Sequence, residues 1–177
     1  LEQDARAPLF DAFGIDLGDP VYADAIVAGE RALRLALGEN GYPFGELGEP
    51  DLLIDHAREE GDLTLPVEPG GQFVFGEVVS DDPGFLSGNH LGRIARFDPG
   101  DLYQTSSQAD LRRAILATGL VSSVAITPRA VTQPDGDDNP GEVALDVALE
   151  RAPLRTISGA VGYGTEDGLK LEAGWEH

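Results

Sequence analysis

The stretch "GDLYQTSSQADLRRAILATGLVSSVAI" (Gly100–Ile126) decides most of the fold. It opens on Gly-Asp, and Leu111, Ile115 and Leu116 then fall on one face at helical spacing. Ser106 or Ser107 is placed to cap that helix, and Asp110 stands in its first turn, where the helix dipole favours a carboxylate. Gly119 closes the helix. Val124 and Ile126 then alternate with small residues, as a strand with one buried face does.

The same order of signals occurs earlier, in "GDPVYADAIVAGERALRLALGENGYPFGEL" (Gly18–Leu47). Ile26, Leu33 and Leu37 recur at helical spacing beside a strip of small residues, Ala25, Ala28, Gly29, Ala32 and Ala36. Small side chains there would let the helix lie close on a sheet. Asn40-Gly41 is the stop signal. The opening glycines Gly18 and Gly100 are 82 residues apart and the closing glycines Gly41 and Gly119 are 78 apart, so the first helix is longer by about one turn.

Each helix leads into a hairpin. "DLLIDHAREEGDLTLPVEPG" (Asp51–Gly70) places Leu63, Leu65 and Val67 on one face; Pro66 would interrupt a central strand there. "SSVAITPRAVTQPDGDDNPGEVALDVALE" (Ser122–Glu150) has Val124 and Ile126 on its first strand and Val143, Leu145, Val147 and Leu149 on its second. "GGQFVFGEVV" (Gly70–Val79) adds a strand ahead of the second copy, followed by a helix around Phe85–Arg96. The unit is strand, helix, helix, strand, strand. The first copy lacks its opening strand, since Leu1–Ile15 already reads as a short helix. An α+β fold follows, with two helices covering one face of a three-stranded sheet.

That element order, the helix ends "ENGYPF" and "ATGLVSSV", and "GGQFVFGEV" after "VEPG" resemble polypeptide-transport-associated (POTRA) domains, the periplasmic repeats of the Omp85 family. The tail "GYGTEDGLKLEAGWEH" (residues 162–177) resembles the first hairpin of the Omp85 barrel, particularly in the TamA-type branch, also described as surface antigen D15-like. The resemblance implies tandem POTRA domains with a mixed sheet: a penultimate domain at 1–70 without its first strand, the last domain at 71–153, and the start of a transmembrane β-barrel at 154–177. It implies an outer-membrane protein whose soluble part lies in the periplasm of a Gram-negative bacterium. The implied clients are unfolded outer-membrane or autotransporter polypeptides, and the implied docking partner is a TamB-like protein anchored in the inner membrane. A BamA-type general insertase, a two-partner secretion transporter and a barrel-free POTRA-like scaffold stay open beside this reading.

Composition bounds these expectations. A net charge of −20 over 177 residues opposes binding to nucleic acid or anionic membrane. Cysteine is absent, which excludes disulfides and thiolate metal sites. No apolar run is long enough for a transmembrane helix. Methionine is absent too, position 1 included, which reads as a processed or partial chain.

No cofactor, metal site or enzyme activity is expected. His56, His90 and His177 are scattered without partners at metal spacing, and Ser122-Ser123 lack a nucleophile context. The glycines Gly162 and Gly164 precede no helix, so they form no dinucleotide fingerprint. Asp135, Asp137 and Asn139 begin like a calcium loop. Pro140 then stands where glycine belongs, and Asp146 where a bidentate glutamate belongs. The feature left is backbone: the strand after the second helix of each unit, at the sheet edge, could accept an extended client by strand addition. In the second copy that strand is Ser123–Val131, with Ser123, Val124, Ala125, Ile126 and Thr127 as the candidate binding residues. In the first copy it is Phe44–Ile54, with Phe44, Glu46 and Leu47. Pro128 and Arg129 support the edge position and would also limit the length of any added strand. In the tail, Ile157, Gly159, Val161 and Tyr163 form a hairpin through Asp167-Gly168 with Leu169, Leu171, Ala173 and Trp175, a row that would face lipid.

Overall fold

The computed structural model describes residues 3–136, 139–153, 156–164 and 168–176; for 3–6 and 156–176 it describes the backbone alone. The chain begins with two helices, α1 (Gln3–Phe13) and α2 (Ala23–Glu39). Ile26, Leu33 and Leu37 are buried, as the helical spacing requires. The small-residue strip serves a different neighbour from the one expected. A methyl group at Gly29 would come within 2.6 Å of the Phe13 carbonyl, so α2 lies close on α1 there, and Ala28 is exposed. α2 stops where Asn40-Gly41 predicts. Asn40 N–H donates to the Ala36 carbonyl, Tyr42 N–H donates to that of Leu37, and Gly41 takes φ 90°, open to glycine at little cost.

Four short strands follow: β1 (Glu46–Leu47), β2 (Asp51–Asp55), β3 (Glu60–Thr64) and β4 (Val67–Glu68). β1 pairs with β4 and β2 with β3, both antiparallel, so a single hairpin is broken in the middle. The expected continuous strand over 44–54 is therefore corrected. Pro66 interrupts one side, and across from it the Gly48 N–H donates to the Pro66 carbonyl at 2.9 Å. Phe44 lies in a turn before β1 and not on a strand.

The second unit carries the full order: β5 (Phe73–Ser80), α3 (Gly88–Ile94), α4 (Thr105–Ala117), β6 (Val121–Thr132) and β7 (Gly141–Arg151). The sheet runs β5-β7-β6, with β5 parallel and β6 antiparallel to the central β7. Val143, Leu145 and Val147 of β7 are almost wholly buried beneath α3 and α4, together with Phe73, Phe75, Leu91, Leu111 and Ile115. Removing each such side chain from water contributes roughly 1.5–3 kcal/mol. Phe75 stacks on Phe97 at 3.8 Å between ring centroids and leans on Tyr103. Ser87 caps α3 by accepting from the His90 N–H. α4 departs from expectation: neither Ser106 nor Ser107 caps it, and its cap residue Gln104 makes no side-chain cap bond. Instead the Glu39 carboxylate, at the end of α2, accepts from both the N–H and the hydroxyl of Ser106 at 2.7 Å.

Beyond this sheet, β8 (Thr156–Gly164) and β9 (Gly168–Glu176) pair antiparallel. Their register sets Ile157 opposite Trp175, Gly159 opposite Ala173, Val161 opposite Leu171 and Tyr163 opposite Leu169, so the apolar positions of the two strands coincide. Asp167 of the expected turn lies outside the described residues.

Candidate functional site

Strand addition needs an edge whose backbone groups are unspent, and the two edges of the β5-β7-β6 sheet differ in this. The outer edge of β5 is closed over Phe73–Phe75. Phe73 N–H donates to the Gly41 carbonyl and Phe75 N–H to that of Asp101, while Tyr103 N–H and Gly100 N–H donate to the carbonyls of Phe73 and Phe75. The outer edge of β6 meets no strand among the described residues.

Side chains of α4 cover part of β6 instead. Arg112 Nε donates to the Val124 carbonyl at 3.0 Å, and Gln108 Nε2 to that of Ile126 at 3.1 Å. Gln108 is itself oriented: its Oε1 accepts the Tyr103 hydroxyl at 2.7 Å, which fixes the amide nitrogen toward the strand. Burial pushes the Tyr103 phenol above its ordinary pKa, so it stays a donor at neutral pH. Thr105, Ala109, Val124, Ala125 and Ile126 complete a groove of about 320 Å³ around the two polar side chains.

These bonds fix the parity of the edge. In an antiparallel ladder, alternate residues direct both backbone groups to the partner strand. The register with β7 is continuous from Ser123 to Ala130, so Val124, Ile126, Pro128 and Ala130 share the outward phase. Pro128 has no N–H to lose from the β7 ladder, which explains its tolerance in a long strand. It also gives nothing to an incoming strand. The outward groups left to a visitor are the N–H of Val124, Ile126 and Ala130 and the carbonyls of Pro128 and Ala130; the carbonyls of Val124 and Ile126 become available only if Arg112 and Gln108 let go.

Of the candidate residues, Ser123, Val124, Ala125, Ile126 and Thr127 lie together on this edge. Val124 is buried, Ile126 half-buried, and Ser123, Ala125 and Thr127 are exposed on the strand. The Ser123 hydroxyl donates to the Glu150 carboxylate. The three from the first copy are elsewhere. Phe44 packs edge-on against Phe73, 5.0 Å between centroids, and joins the second unit's core. Leu47 packs on the small cluster of Leu9, Leu33, Leu37 and Tyr42. Glu46 stands directly opposite Glu68, a like-charge pairing that weakens an already short strand. Sequence reading missed Gln108, Arg112 and Tyr103. The available signal was two long polar residues one helical turn apart, bordering the Leu111–Ile115 stripe.

The other motifs do not assemble. His56 lies in the turn between β2 and β3 and His90 in α3, while His177 lies outside the described residues. In the acidic loop the Asp135 N–H donates to the Asn139 carbonyl, and Asp146 is held by Arg129; Asp137 lies outside the described residues. Among the described residues no three metal-ligating side chains gather, and no helix is long and apolar enough to cross a membrane.

No family model matches the chain. Solved structures do resemble it. BamA from Haemophilus ducreyi lacking POTRA domains 1–3 aligns over 99% of this chain with a TM-score of 0.68 and 18% identity. POTRA domains 3–5 of Haemophilus influenzae BamA align over 82% with a TM-score of 0.57 and 21% identity. The chain spans 32% of the first and 54% of the second. At such identities the likeness is one of fold. The mixed sheet, its two covering helices and their order agree with it, and this chain has the fold of BamA POTRA domains.

Proposed function

We propose that the chain is a periplasmic module of an Omp85-type outer-membrane assembly factor, which receives unfolded polypeptides by strand addition to β6 and passes them to an attached barrel. The observation that carries this reading is the β6 edge: among the described residues no strand covers it, it borders a groove, and two side chains that can rotate away hold its carbonyls. Main-chain pairing over Val124–Thr127 reads no side-chain sequence, which suits a receiver of many clients. Arg112 and Gln108 act as a latch, covering the outward carbonyls between clients and limiting indiscriminate pairing. No chemical step is required, so the module is not an enzyme in this reading. The apolar row on β9 supports the reading of 154–177 as a barrel's opening hairpin, and hence a seat at the outer membrane.

Two roles fit within this family. The tail resemblance favours a TamA-type factor with autotransporter clients and a TamB-like partner; the two BamA structures favour a general insertase. A photocrosslinker at Thr127, exposed to a urea-unfolded outer-membrane barrel polypeptide diluted into buffer, tests the common core. Crosslinking is expected, and it rises in Gln108→Ala/Arg112→Ala because the two carbonyls are freed. No crosslinking at Thr127, or crosslinking that the double variant leaves unchanged or lowers, would sink the latch-and-edge reading.

A further inference from the structure

The protein carries 12 basic residues against 32 acidic ones, and most described arginines are already engaged. Arg58 pairs with Asp55, Arg113 with Asp110, Arg129 with Asp146 and Arg151 with Asp82, while Arg112 is bound to the β6 carbonyl. Arg93 and Arg96 are exposed without an ion pair among the described residues, and so are Arg31 and Arg34, but these last two border a groove. Both stand on α2. They sit one turn apart, so their side chains emerge side by side.

The two arginines border a groove of about 450 Å³ where the first unit meets the second, with Leu35, Tyr42 and Pro43 on one side and Thr105, the first residue of α4, on the other. Leu35 is 59% exposed, and Val27, two turns back on the same helix, is 48% exposed. The exposed stripe of α2 is thus apolar, basic, basic, apolar. The floor is shallow because Gly38 lies against Thr105 so closely that a methyl group there would come within 2.2 Å of the hydroxyl oxygen.

We propose that this joint groove is a docking surface for an acidic amphipathic helix of a partner polypeptide. Carboxylates one turn apart would pair with Arg31 and Arg34, and a leucine-sized side chain between them would cover Leu35. The argument is charge complementarity set against the rest of the molecule. A net charge of −20 repels an acidic partner at long range, so a pair of arginines without carboxylate partners among the described residues, set beside exposed Leu35 in a groove, would select such a partner at close range. Arginine's planar fork suits paired carboxylates. An occupant touching both Arg31 and Thr105 would span the two units. This inference is independent of strand capture at β6.

The test uses the whole chain and two synthetic helical peptides, alike in their leucines, one with glutamates one turn apart and one with glutamines in their place. The overall charge predicts that the glutamine peptide binds better; the groove predicts the reverse, by about tenfold. Arg31→Glu/Arg34→Glu should abolish the preference, and Arg31→Gln/Arg34→Gln, which adds no repulsion, should reduce it at least severalfold. Both variants should keep the wild-type melting profile, since neither side chain has a partner among the described residues. Equal binding of the two peptides, or a preference that survives both variants, would overturn the proposal. So would displacement of the acidic peptide by unlabelled chain at micromolar concentration, because the occupant would then be a second copy.

Discussion

The two units share an order of elements, yet over the described residues they bury cores of unequal size. In the second, β5 lies parallel to β7 and drives Phe73 and Phe75 under the helices, building a cluster of 13 buried side chains. In the first, β3 pairs only with β2 and β4 only with β1 among the described residues, and the buried cluster there has four members. What remains there is an apolar groove of about 440 Å³ lined by Leu9, Phe10, Phe13, Leu33, Leu63, Leu65, Val67 and Pro69, with Phe10 74% exposed. The parallel strand is what turns a helix pair and a hairpin into a closed core. The comparison breaks if equivalent truncations cost the same in both units. Phe75→Ala removes a fully buried ring that stacks on Phe97 and should cost about 3–5 kcal/mol. Leu33→Ala borders the open groove, where the site can collapse, and should cost nearer about 2 kcal/mol. Urea unfolding followed by probes placed in each unit separates the two, and similar losses would show that the groove is not the weak side.

The contrast between the units was partly legible. Helical and strand periods are local, so α2, α4 and the β7 row Val143, Leu145, Val147 could be read directly, as could the repeat. Pro66 announced trouble in the first hairpin, and the break lies there. Phe44 was misread because an aromatic after Tyr-Pro looks like the start of a strand, whereas its position is decided by Phe73 of the next unit. The α4 cap was misread for the same reason: Ser106 and Ser107 offered a local solution, but the winning carboxylate, Glu39, is 67 residues away. The β6 edge was legible as an edge from Pro128 and Arg129. Its parity was not, because alternation shows which way side chains point and not which backbone groups the partner strand consumes. Tertiary bonds from Arg112 and Gln108 supply that.

A second difference lies in how the units are joined. α3 is capped from within by Ser87, whereas α4 borrows its capping acceptor from the first unit through Glu39. The stability of the second unit is therefore tied to the folding of the first. Glu39→Ala should cost about 1 kcal/mol, the usual loss for a missing N-terminal acceptor. It should also separate the unfolding of the two units, seen as a wider transition or two resolved steps. Ser87→Ala should cost a similar amount while leaving the transition as sharp as before. If Glu39→Ala leaves both midpoint and width unchanged, the cap does not couple the units.

The smallest effect concerns the exposed sheet face, where the units differ in sign. Glu46 opposes Glu68 in the first hairpin, while in the second Arg129 reaches across to Asp146 with Nε and Nη2 on its two carboxylate oxygens, at 2.7 and 3.0 Å. The hydrogen bond from Arg129 holds the Asp146 carboxyl below its ordinary value of 3.8. A carboxylate whose folded-state pKa is depressed adds stability that is present above the unfolded pKa and is lost as pH falls through the folded one. Both partners are largely solvated, so the contribution is small. Asp146→Asn should therefore lower the melting temperature slightly at neutral pH. The gap between variant and wild type should start to close as the pH drops below about 4, where the unfolded-state carboxylate takes up its proton while the folded one still holds its charge. It should vanish below the depressed folded value. A gap that persists undiminished at low pH would mean that Asp146 acts through packing beside the buried Ala144 and not through its charge.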